Sequence, residues 1–284
     1  MTSPATLARA LHGVIEPFHA ILYLSPTAHA AWEQLGLEPR GQGYVAGRIA
    51  PFGPVGPDVA NAVSFNFNPA LFDHALPAAW DIASPAEVLA TRARIVETIF
   101  TDVGAPTDRL AEATAIAVTA AEATPLPGRP LAAANRRVPP PGTPWAALWQ
   151  ALAVVREHRG DGHVALLVAE DLAPVDALVL YSAWQSNVSR RFLQRSRLWD
   201  DEAWAAGEAR LRSRGLLDDD GLTADGEVFR GHLEQRTDEL AAAPWVAIGA
   251  DASLLLFDLM VPVVRAMAAG GLWKREVTIP DRPA

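Results

Sequence analysis

Eight consecutive residues, Arg156-Glu157-His158-Arg159-Gly160-Asp161-Gly162-His163, form the densest polar cluster of the chain. If the Asp161 carboxylate fixed the tautomer of His158, the pair would make an oriented general base, the core of a cofactor-independent enzyme. The same residues also suit helix capping, with Arg156 and Arg159 complementing one C-terminus and Asp161 capping the next N-terminus. His158 and His163 are five apart with two glycines between them. That is not the i, i+4 pair of a helical zinc site and no third ligand is evident, so no metal is expected. Tyr44 and Arg48 are four apart and share a helix face, where Arg48 could clamp a carboxylate or phosphate. Asn66 and Asn68 flank Phe67 before Pro69, and His74 and Trp80 follow. With Trp149, His158 and His163, the residues Tyr44, Arg48, Asn66, Asn68 and His74 make the candidate ligand-binding set. His19, among Phe18, Ile21 and Leu22, reads as a hydrogen-bonded core histidine. Haem held by His19 or His163 is the only cofactor option, and otherwise none is expected. No P-loop, dinucleotide glycine fingerprint or nucleophile elbow is present.

The elements around these residues read as helices. Ser84-Pro85-Ala86-Glu87 combines an N-cap, an N1 proline and an N3 glutamate. Residues 201–215 read as a helix with cations in its last turn and a glycine at its end. The polar cluster at 156–163 is expected at a helix–turn–helix junction. Period-2 alternation is almost absent, the exception being Leu216-Leu217, a turn at Asp219-Asp220-Gly221 and Leu222, which predicts a short β-wing before a helix capped by Thr223.

The chain has 284 residues, 50% of them hydrophobic and none cysteine, enough for a full core without disulfides and suited to a reducing cytoplasm. The N-terminus carries His12 and Glu16 where a signal peptide would be apolar, and Asp258, Pro262 and Arg265 break the longest apolar run. Neither a leader nor a membrane span is expected. The net charge of −9 gives no general attraction to phosphate backbones or anionic membranes.

Residues 124–144 concentrate prolines and predict an extended connector between an N-terminal half, 1–123, and a C-terminal half, 145–284. The halves look like copies of one plan. Gly43-Tyr-Val-Ala has a counterpart in Gly162-His-Val-Ala, Pro54-Val55 in Pro174-Val175, Trp80-Asp81 in Trp199-Asp200, and Asp102-Val-Gly104 in Asp219-Asp-Gly221.

The order of elements over 162–243, with the pattern R-x-R-G-L-L…D-G-L-T-x-x-G, resembles the MarR-type winged-helix family. The strings EPFHAILYLSP, GYVAGRIAPFGPVGPDV, NFNPALFDHALPAAW and LWQALAVVREHRGDGHVALL are similar to an actinobacterial helix-turn-helix, MarR-like family. The expected fold is therefore mostly α: a tandem pair of winged-helix domains, an intramolecular pseudo-dimer with short β-wings. In such a family the helix before the wing would enter the major groove. Here it begins Asp200-Asp201-Glu202, and residues 200–240 hold 12 acidic against 5 basic side chains. The expected function is thus a small apolar or anionic ligand bound between the halves, with DNA binding weak or lost. The alternative is a DNA-binding regulator using the arginine-rich helix 187–197, with Asn187, Arg190, Arg191 and Arg195 binding DNA and the first three placed to read bases. A further homodimer is possible.

Overall fold

The computed structural model describes residues 2–185, 188–272 and 278–284. Proline sets many of the helix starts, because a residue with no N–H and a fixed φ fits the first helical turn. It opens α1 (Pro4–Leu24) behind the Ser3 cap and α2 (Pro26–Gln34) behind Ser25. After a five-residue π-turn at Pro39–Gly43 come α3 (Tyr44–Ile49), α4 (Pro57–Ala62) and α5 (Pro69–Ala75), the last capped by Asn68. Then follow α6 (Ala78–Ile82) and α7 (Pro85–Asp102), where Ser84 and Glu87 form the expected capping box.

Next are α8 (Leu110–Ala123), α9 (Pro130–Arg136) and the 26-residue α10 (Pro144–Ala169). The C-terminal part holds α11 (Pro174–Trp184), α12 (Arg190–Arg197), α13 (Asp201–Ser213) and α14 (Ala224–Leu240). The chain closes with α15 (Ala243–Ile248) and α16 (Ala250–Ala269).

Two apolar cores result. The larger joins α1, α2, α3, α7, α8, the first half of α10 and α16, with Trp32, Phe18, Phe100 and Trp149 among its buried side chains. The smaller joins the end of α10 to α11–α14 through Leu178, Leu193, Trp204, Leu211 and Leu233. Helix α10 belongs to both and carries the connection. Helix α16 is long and apolar enough to cross a bilayer, yet Leu256, Phe257, Met260, Val263, Val264 and Met267 pack into the larger core while Asp258 and Arg265 face solvent.

The tandem winged-helix architecture is corrected here. Among the described residues there is no strand, and the expected wing is a turn with one isolated antiparallel bridge, Leu217 to Leu222. Asp218 accepts from the N–H groups of Asp220 and Gly221 at 2.9 and 3.1 Å and closes the turn tightly. Between Gly215 ending one helix and Thr223 capping the next, no residues remain to lengthen the arms. The repeat does not carry through to the elements either. Gly43 ends the π-turn whereas Gly162 lies inside α10, and α4 has six residues where α11 has eleven. Asp102 ends α7, but Asp219 lies in the turn beyond α13.

Nor is the polar cluster at a junction, since α10 runs unbroken through Gly160 and Gly162. A Cβ at Gly162 would collide with the Arg129 guanidinium, so the glycine serves a close approach. The proline-rich stretch carries α9, whose Leu131, Ala132 and Asn135 are buried.

Candidate functional site

The residues of the polar cluster point in different directions around α10. Glu157 is 1% exposed and accepts from Arg48 and Arg156, each at 3.0 Å. Burial would raise its pKa, but Arg48 and Arg156 overcome that and hold it below the usual carboxylate range. Arg48 is thereby occupied, while Tyr44 on the same helix packs its ring against Tyr23 and Phe67.

His19 stacks on Trp149 at 4.6 Å, stands 3.9 Å from Glu157, and its Nδ1 is without a partner. Burial pushes its pKa down to about 3. His158 is also buried with Nδ1 unpartnered, and burial followed by the Arg129 charge lowers its pKa to about 4. Asp161 does not orient it. The carboxylate instead accepts from the backbone N–H of Leu131 and Ala132 at 3.3 and 3.0 Å, capping α9, and burial raises its pKa to about 6.

Other sequence candidates scatter. His74 is exposed on α5. Asn68 caps α5 and donates its backbone N–H to the Arg197 carbonyl at 2.9 Å, and the Asn66 carbonyl accepts from the Trp199 indole at 3.0 Å. Asn187 lies outside the described residues. Arg190 pairs with Asp201 at 2.9 Å and sits over the Trp204 ring. Arg191 and Arg195, one turn apart on α12, are exposed and meet no carboxylate among the described residues.

Two of the candidates, Asn66 and His163, line one cavity of about 360 Å³. It lies where α1 and α10 meet α11, α12 and α14. Arg9 and His12 come from α1, Arg159 and His163 from α10, Arg197 from α12, and Arg230 and Glu234 from α14. Its apolar wall includes Leu178, Tyr181, Trp184 and Leu193.

The charges there are unbalanced. Arg9 bonds Glu234 and also Asp238, the latter at 2.7 Å. Arg159 bonds Asp238 at 2.9 Å, and Arg230 pairs with Glu234 while stacking over Trp184 at 4.5 Å. Burial would raise the Glu234 pKa, but Arg230 and Arg9 hold it down at about 2. Arg197 meets no carboxylate among the described residues: it donates to Ser196 at 2.7 Å and lies over Phe67 at 5.2 Å, and burial lowers its pKa. The Nε atoms of Arg159, Arg197 and Arg230 are buried without partners. His163 is fixed by Thr237 at 2.9 Å and kept neutral by burial, its pKa lowered to about 4.

Sequence reasoning missed Arg9, Arg159, Arg197, Arg230 and Glu234 as one group. The i, i+4 pair Arg230 and Glu234 and the acid-free arginine run of α12 were visible, but their meeting with α1 was not. A second, shallower groove beside α7 and residues 138–143 includes Trp149 and Arg92. There Arg92, its pKa lowered by burial to about 10, donates to Gln150 at 2.6 Å, to the Gly47 carbonyl at 3.3 Å and to Asn135 at 3.4 Å.

The α11–α14 segment contains a helix-turn-helix. Helices α12 and α13 are joined by three residues, with Leu198 in the left-handed region at φ 57°, and α13 leads into the tight turn before α14. A family model described as a helix-turn-helix family matches residues 8–274. No curated protein matches the chain, and no solved structure does.

Proposed function

The chain belongs to a helix-turn-helix family, and from that premise we propose that it is a small-molecule-binding helix-turn-helix protein whose ligand occupies the cavity between α1 and the α11–α14 segment. The observation that carries this reading is the Arg197 side chain, which lines that cavity with its Nε buried and unpartnered and meets no carboxylate among the described residues. A buried polar group without a partner is costly, so such a group marks a place where a partner arrives. The convergence of arginine, histidine and aromatic side chains from separate helices on one cavity supports the same reading. So does position, because the cavity touches both the reading helices and the helices they rest on.

Thermal melts against a collection of metabolites test it. A ligand that binds the folded state stabilises it by about 2.7 kcal/mol at a hundredfold excess over Kd, a shift of a few degrees. Leu178→Trp, which fills the cavity, should abolish the shift. Stabilisation that survives this substitution would place the ligand elsewhere and contradict the reading.

A second reading, DNA binding through α12, is favoured by the exposed and unpaired Arg191 and Arg195. Against it stand Asp201 and Glu202 at the start of α13 and the three aspartates 218–220, all exposed. A mobility shift on the protein's own promoter region at about 0.1 M salt separates the two. If DNA is bound there, Arg191→Ala with Arg195→Ala should weaken binding on every sequence and lower the salt slope by about 2.

A further inference from the structure

We propose that the ligand of this cavity is an organic anion of one or two rings, anchored by Arg197 and lying against Tyr181, Trp184 and Leu193; this rests on the ligand-binding reading above. The charge balance comes first. Among the described residues, Arg9, Arg159 and Arg230 share two carboxylates, Glu234 and Asp238, and Arg197 stands beyond that network with none. The histidines do not change the sum, since burial keeps His163 neutral at ordinary pH. A cavity with excess positive charge and partial burial favours a negative occupant over a neutral one.

Geometry narrows the class. A guanidinium presents a planar fork that matches a carboxylate or phosphate oxygen pair. The lining is mixed, with Tyr181, Trp184, Leu178 and Leu193 set among the charged side chains, so the charged end can carry an apolar body behind it. About 360 Å³ lies at the small end of ligand sites, which fits a ring-bearing acid better than a nucleotide.

Titration calorimetry with matched pairs tests the class: phenylacetate against phenylacetamide, indole-3-acetate against indole-3-acetamide, and phenyl phosphate as the phosphate arm. Each acid should bind at least about tenfold more tightly than its amide, the ratio expected for one charged hydrogen-bonding partner. In Arg197→Gln the ratio should collapse toward one while amide affinity is kept, which also shows that the variant is folded. Arg197→Lys should restore part of the preference.

Whichever of phenylacetate and phenyl phosphate gains more from Arg197 identifies the head group. Amides that bind as well as acids, or a preference that survives Arg197→Gln, would overturn the anion proposal while leaving a ligand cavity in place. Binding of neither acids nor amides to the wild-type protein would overturn both.

Discussion

Glu157 is a single buried carboxylate that neutralises Arg48 and Arg156 and faces His19 at 3.9 Å. Removing its charge would leave the Arg48 guanidinium uncompensated, while Arg156 keeps Glu16 at 2.8 and 3.0 Å, and breaking a buried pair in this way costs about 3 kcal/mol or more. Glu157→Gln should therefore lower the urea midpoint markedly, and an unchanged midpoint would show that solvent already screens the network. The nearby histidines set an acid limit. His19 and His158 have folded pKa values of about 3 and about 4, below the unfolded value, so the unfolded chain takes up protons first. Stability falls as pH drops through about 6.5, each histidine contributing about 1–2 kcal/mol between pH 7 and 5. Asp161, raised to about 6, works against this between about pH 6 and 4, but His12 and His163, also lowered by burial, add to the fall. The melting temperature should fall over that range, and His19→Phe should flatten the fall.

The residue-scale reading of 156–163 as a polar cluster was legible in the sequence, and so was the capping role of Asp161, but not which helix it caps. That depends on α9 approaching α10 over Gly162, where only the absence of a side chain admits Arg129.

At the scale of elements, several helix-start signals in the sequence carry through, whereas the helix end expected beside Arg156 and Arg159 does not exist because α10 runs on. Ser84, with Glu87 at N3, and Thr223 act as the expected N-caps, and Gly215 takes the left-handed conformation at φ 73°. The last glycine of the D-G-L-T-x-x-G pattern has a different reason, since a Cβ at Gly226 would collide with the Leu216 carbonyl. Gly231, five residues on in the same helix, has nothing within 4 Å of such a Cβ. Gly226→Ala should destabilise by about 1–3 kcal/mol through overpacking. Gly231→Ala should instead stabilise by about 0.5–1 kcal/mol, the gain expected at an open helix position. Chemical denaturation of both variants checks the pair.

The wing was misread at this scale because two leucines on either side of a turn give the same local signal whether the arms extend or stop after one residue each. The apparent duplication failed for a related reason. Matching dipeptides at helix boundaries do not fix helix length, and α10 absorbs its Gly162 without a break.

For the whole molecule, what matters is how the α11–α14 segment is fastened. The Trp199 indole donates to the Asn66 carbonyl, Asn68 donates to the Arg197 carbonyl, and Arg9 of α1 reaches Glu234 and Asp238 of α14. These ties surround the cavity, so an occupant would bear on both sides of it. Trp199→Phe removes one tie worth about 1 kcal/mol and should speed hydrogen exchange across α12 and α13 before the rest of the chain. None of these long-range meetings has a local sequence signature, which is why the cavity was found only in part, through Asn66 and His163.

The most direct test follows the indole N–H signal of Trp184, assigned with Trp184→Phe, in nitrogen-15 spectra during a phenylacetate titration. The signal should shift saturably in the wild-type protein and stay still in Arg197→Gln, with Trp32 and Trp245, buried away from the cavity, unmoved in both. A Trp184 signal that never responds, or one that responds equally without Arg197, would contradict the account.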